Sequence, residues 1–73
     1  MRKNLKEARQ RADMTQQQVA DYLRTDVRYY KQIESGDRLG SIKMWDALED
    51  LFSIHQRKLR EISESHPGKA NNQ

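Results

Sequence analysis

The sequence predicts an all-α fold, a compact bundle of five short helices, and three observations carry that expectation. Apolar residues recur at three- and four-residue spacing along most of the chain, the period of an α-helix, and no segment alternates as a strand would. Residues that cap helices (Thr15, Asp26 and Ser41) stand just before periodic segments, and Gly36 stands just after one. A chain of 73 residues holds one domain, and six leucines, four isoleucines, two valines and one phenylalanine allow it only a thin core.

Each element has its own local reason. In the first helix Leu5, Ala8, Arg9 and Ala12 fall on one face, and Asp13-Met14 ends the pattern. Thr15 opens the second helix, and Gln18 three residues on completes a capping box. That helix runs from Gln16 to about Leu23 and is expected to bury Val19, Ala20 and Leu23. Arg24-Thr25-Asp26 is a short break, after which Asp26 caps a third helix from Val27 to Ser35. Tyr30 and Ile33 share the inner face of this helix, and Gly36 closes it in the left-handed conformation. Asp37 to Gly40 reads as a loop. Ser41 caps the fourth helix, where Ile42, Trp45, Leu48, Leu51 and Phe52 form an apolar stripe. Ile54 continues the core across a turn, and Gln56 to Ile62 makes a fifth helix with Leu59 and Ile62 inward. The domain therefore spans residues 1–62. Residues 63–73, polar apart from one alanine and containing Pro67-Gly68, are expected to be a disordered tail.

Composition narrows the function classes. Fourteen basic and eleven acidic residues leave a net charge of +3, unevenly placed. Residues 1–13 hold five basic and two acidic groups, whereas residues 39–54 hold one and three. No apolar run approaches the ~20 residues of a membrane span. Without cysteine there is neither a disulfide nor a cysteine zinc site, and His55 and His66 alone cannot assemble a metal set. No nucleophile–base pair, paired-carboxylate site or glycine-rich phosphate loop is visible, so an enzyme, a metal, a cofactor and a small-molecule ligand are all unexpected. Asp46, Glu49 and Asp50 read as one solvated helix face. Met1, Met14 and Met44 read as core or terminus, and Tyr22 and Tyr30 as half-buried packing. A binding module is the expectation.

The informative feature is the pair of short helices joined by three residues, residues 16–35. So short a link cannot reverse the chain into an antiparallel pair, so the helices cross steeply as a helix-turn-helix. The second of them turns Val27, Arg28, Tyr29, Lys31 and Gln32 outward, with no acidic residue on that face before Glu34. Arginine can bind guanine through two donors, glutamine can bind adenine through a donor and an acceptor, and valine can meet a thymine methyl.

Leu5-x-x-x-Arg9, Met14-Thr15-Gln16-Gln17-Gln18-Val19-Ala20, Leu23 and Tyr30-x-x-Ile33-Glu34-Ser35-Gly36 together resemble the Xre-type, phage-repressor-like (Cro/repressor) helix-turn-helix family, across roughly residues 4–62. The resemblance implies a lambda-repressor-like DNA-binding fold. It also implies sequence-specific binding of double-stranded DNA by a transcriptional regulator, a repressor of the phage or mobile-element kind. The family's base-reading positions fall on Val27, Arg28 and Gln32, with Tyr29 close by. Its backbone contacts fall on Gln16 and Ser35 and on Arg38 in the following loop, with Gln17 and Lys31 beside them. Its buried ion pair falls on Arg9 and Glu34. Family members often dimerise near the fifth helix, which makes Phe52, Ile54, Leu59 and Ile62 interface candidates for a homodimer on a two-fold operator. A cytoplasmic, nucleoid-associated protein of bacterial or phage origin is implied as well. Two departures stand out: Arg24 replaces the glycine common in the turn, and Asp26 replaces the usual serine or threonine cap and would repel nearby phosphate. Two rival classes are a protein-interaction module on the same scaffold, for an antirepressor or antitoxin partner, and the DNA-targeting end of a longer regulator.

Overall fold

The computed structural model describes residues 1–62, and the tail expected over residues 63–73 lies outside the described residues. The helices are α1 (Lys3–Arg11), α2 (Gln16–Leu23), α3 (Val27–Ser35), α4 (Ile42–Phe52) and α5 (Gln56–Arg60). Four of them begin on side chains that satisfy otherwise orphaned N–H groups, α5 through His55 Nδ1, which accepts from Arg57 N at 3.1 Å. Thr15 Oγ1 accepts from Gln18 N at 3.1 Å while Thr15 N donates to Gln18 Oε1 at 2.8 Å, closing the capping box. Asp26 Oδ1 accepts from Arg28 N at 2.7 Å, and Ser41 Oγ accepts from Met44 N at 3.1 Å. Each such cap is worth about 1 kcal/mol, a large increment for helices of this length.

α2, α3 and α4 end on left-handed residues: Arg24 (φ 57°, ψ 47°), Gly36 (φ 93°) and Ser53 (φ 56°). Only at Gly36 is that conformation free of Cβ strain. At Arg24 it costs roughly 1–2 kcal/mol, and the chain accepts that cost to redirect α3 across α2. Gly40 (φ 83°) is doubly required, since a Cβ there would also run into Met44 and Trp45.

The core draws from all five helices: Leu5 and Ala8; Val19 and Ala20; Tyr30 and Ile33; Met44, Trp45 and Leu48; and Leu59. α3 packs against α1 and α2, α4 lies against α2 and α5, and α5 closes back on α1. The outer face of α3 is thereby left open.

Several expectations are corrected. α1 stops at Arg11, so Ala12 is its exposed cap and not a core position. Leu23 is only half-buried at the edge of the core. Ile42 is 78% exposed. The α4 stripe centres on Leu48, and at ~100° per residue Ile42 falls about 120° away, whereas Met44 lies within it. α5 ends at Arg60, and Ile62 is 48% exposed, its Cδ1 beside Gly36. A further finding had no counterpart in the sequence reading: Arg2 is 3% exposed.

Candidate nucleic-acid interface

Three residues, Arg24 to Asp26, separate α2 from α3, and Arg24 N and Thr25 N close the turn on Asp21 O and Ala20 O. On the outer face of α3, Arg28 and Lys31 are exposed, and neither side chain has a hydrogen-bond or ion-pair partner among the described residues. Tyr29 is half-buried beneath Arg38, whose guanidinium carbon lies 5.9 Å from the ring centroid. Gln32 is half-buried too, its Oε1 accepting from Arg38 Nε at 2.6 Å. Val27 packs partly against the core and offers only its outer edge.

A buried polar brace stands behind this face. Glu34, 3% exposed, accepts from Arg9 Nε at 2.6 Å, Arg9 Nη2 at 3.3 Å, Gln16 Nε2 at 3.1 Å and Tyr30 Oη at 2.8 Å. Arg9 Nη1 also donates to Met14 O at 2.9 Å. One carboxylate thus ties α1, the first residue of α2 and α3 together. Its hydrogen bond holds Arg9 above the ordinary arginine pKa. Burial, and then the adjacent Glu34 charge, pushes the Tyr30 hydroxyl well above the tyrosine range.

Arg2 forms a second brace. Its Nη1 donates to Ile33 O at 2.6 Å and Arg38 O at 2.9 Å, its Nε donates to Arg60 O at 2.9 Å, and its guanidinium lies 5.2 Å from the Trp45 centroid. Desolvation, and then nearby Arg60, lowers its pKa from the usual arginine value. A cation against the carbonyl end of α3 is favourable, and it fixes where the α3–α4 loop departs. No local pattern marks Arg2, because its partners come from three distant segments.

The residues expected at the DNA backbone are distributed around α3. Gln16, Lys31 and Ser35 line one hollow of about 320 Å³ together with Lys6. Gln16 is already held by Glu34, and Gln17 Nε2 donates to Asp21 Oδ1 at 2.9 Å. Ser35 Oγ lies 2.9 Å from Asp37 Oδ2 and 3.1 Å from Gln32 O. Arg38 stands with Gln32 and Asp37 at a second hollow of about 420 Å³. A third, of about 430 Å³, opens beyond Tyr29 and presents Arg24 and Lys43, cations the sequence reading did not single out as sites. Both sit outside the third helix, where its periodicity carries no signal.

Of the interface candidates, Leu59 is fully buried within its own chain and has no surface to offer a second copy. Phe52 and Ile54 are half-buried against the core, and Ile62 is exposed. Among the described residues no helix is long and apolar enough to cross a membrane, and no group of three His, Asp or Glu side chains is placed to hold a metal ion.

A family model described as Helix-turn-helix matches residues 5–55, which takes in the capping box, the turn, all of α3 and the Arg9–Glu34 brace. No curated protein and no solved structure is significantly similar to the chain. With more than half its length matched, the chain belongs to the Xre-type helix-turn-helix family of DNA-binding regulators.

Proposed function

We propose that this domain is a sequence-specific transcriptional regulator, a repressor of the phage or mobile-element kind, that sets α3 in the major groove of double-stranded DNA. The observation that supports this most is the outer face of α3. Unpartnered Arg28 and Lys31 project beside Tyr29 and Gln32 from a helix locked from behind by Glu34. A helix held this rigidly loses little freedom on binding, so its contacts translate into affinity.

In this reading Lys31, Gln16, Gln17 and Ser35 grip phosphate on one flank of α3, and Arg24 and Lys43 do so on the other. Their counterion release makes affinity fall with salt. Arg28 places its two-pronged donor at a guanine edge, Val27 meets a thymine methyl, and Tyr29 and Gln32 read the adjacent pair. One module of this size makes few contacts, so two copies bind a two-fold operator, with Ile62 and the outer edges of Phe52 and Ile54 at their interface. The setting is the cytoplasm, at the nucleoid.

Selection of bound sequences from a pool of random duplex DNA at near-physiological salt tests the proposal. The expected result is a symmetric motif with half-sites about one helical turn apart. A pool that stays unenriched while the protein remains folded refutes it.

A further inference from the structure

Resting on the assignment of α3 as the base-reading helix, we infer that Arg38 determines specificity: it fixes the Gln32 amide so that the two residues together read guanine in preference to adenine. The reason lies in donor and acceptor inventory. Arginine carries five N–H donors and no acceptor, so the Gln32 oxygen must turn toward Arg38 Nε, where it accepts at 2.6 Å. The NH2 end of the amide is then the end left free. Reading adenine through two bonds needs both ends, the oxygen accepting from N6 and the nitrogen donating to N7. With one of its two lone pairs held by a charged donor, that oxygen is a weaker acceptor for a second bond, and the pair offers mainly N–H groups. Guanine presents two acceptors, O6 and N7, and matches them.

Arg38 is itself held in place for this task. Its carbonyl accepts from buried Arg2 at 2.9 Å, its N–H donates to Gln32 O at 3.2 Å, and its guanidinium rests over Tyr29. It makes no ion pair among the described residues. The hollow it shares with Gln32 also contains Asp37, whose carboxylate disfavours a phosphate there and leaves a base edge as the better occupant. Arg38 is therefore a positioning residue for Gln32 as well as a second donor, in place of the backbone contact that the family resemblance implies.

The test uses the full chain and its selected duplex. The position that loses its preference in Gln32→Ala is identified first, and the four base pairs are then compared there by competition. The parent is expected to prefer G·C over A·T by at least about fivefold. Arg38→Ala, and Arg38→Gln as a second neutral variant whose amide no longer imposes a direction, should shift that position toward A·T. Circular dichroism confirms that both variants fold. A parent that prefers A·T at this position overturns the inference. So does an Arg38→Ala variant that weakens every duplex equally with the preference intact, since Arg38 then grips only phosphate. In either case a symmetric selected motif leaves the DNA-binding reading standing. An unenriched pool removes both.

Discussion

Replacing Glu34 by glutamine changes one atom in the centre of the domain and should nonetheless cost it much of its stability. The Glu34 side chain is 4% exposed and that of Arg9 12%, so bulk water screens neither. All the groups around the carboxylate donate to it: Arg9 through two nitrogens, Gln16 through its amide and Tyr30 through its hydroxyl. A glutamine has one acceptor oxygen and must aim its own NH2 at one of those donors. Tyr30 can reverse its hydroxyl and Gln16 can flip its amide to accept, but Arg9 has no acceptor to offer and its charge loses its counter-ion whichever way the new amide turns. Stranding one member of a buried pair costs about 3–5 kcal/mol. A domain of this length has only about 4–11 kcal/mol in total. At roughly 4–8 °C per kcal/mol, Glu34→Gln should lower the melting temperature by at least about 12 °C, read by circular dichroism or calorimetry. The paired replacement Arg9→Met with Glu34→Leu should recover much of the loss, because it removes both charges together. A Glu34→Gln protein that melts within about 2 °C of the parent would refute the reasoning, since a pair that matters so little is effectively solvated.

Arg28→Ala should cost ~1–3 kcal/mol on the selected duplex and relax one base position. Lys31→Ala should weaken all duplexes about equally and reduce the salt slope by about one unit; equal, sequence-independent losses from both would remove Arg28 from base readout. Tyr30 has a pKa raised from its ordinary 10.0, so the unfolded chain loses this proton first as the solution turns alkaline. Its contribution is complete below about pH 10 and falls by ~1.4 kcal/mol per pH unit above it. Tyr30→Phe should remove that slope in urea titrations between about pH 9 and 11, and an unchanged slope would count against the assignment. Arg24→Gly relieves the left-handed arginine and should raise stability by roughly 0.5–1 kcal/mol, while a lower melting temperature would show that the arginine side chain stabilises the turn.

The sequence by itself determined the helices and their order, because the signals that start and stop helices are local. The hydroxyl of Thr15 finds Gln18, Asp26 finds Arg28 and Ser41 finds Met44, each within three residues, so α2 and α3 begin and end where their caps and Gly36 place them. Part of the outward set on α3 was legible for the same reason: once the helix is located, its period separates Arg28 and Lys31 from Tyr30 and Ile33, whereas Val27, Tyr29 and Gln32, also expected outward, are half-buried by packing the period does not show. Only the tertiary structure decided which ends of the stripes are covered. Ile62 carries an apolar side chain that stays exposed beyond the end of α5, whereas Leu59 is enclosed because α5 closes back on α1. It also decided the two braces and the Arg38–Gln32 pair. Arg2 reaches Ile33, Arg38 and Arg60, partners 31, 36 and 58 residues away, and no periodicity encodes such meetings. A long cation looks like a solvated surface charge in sequence. It is buried only where the packed fold brings carbonyl oxygens and a carboxylate close enough to replace the water it gives up.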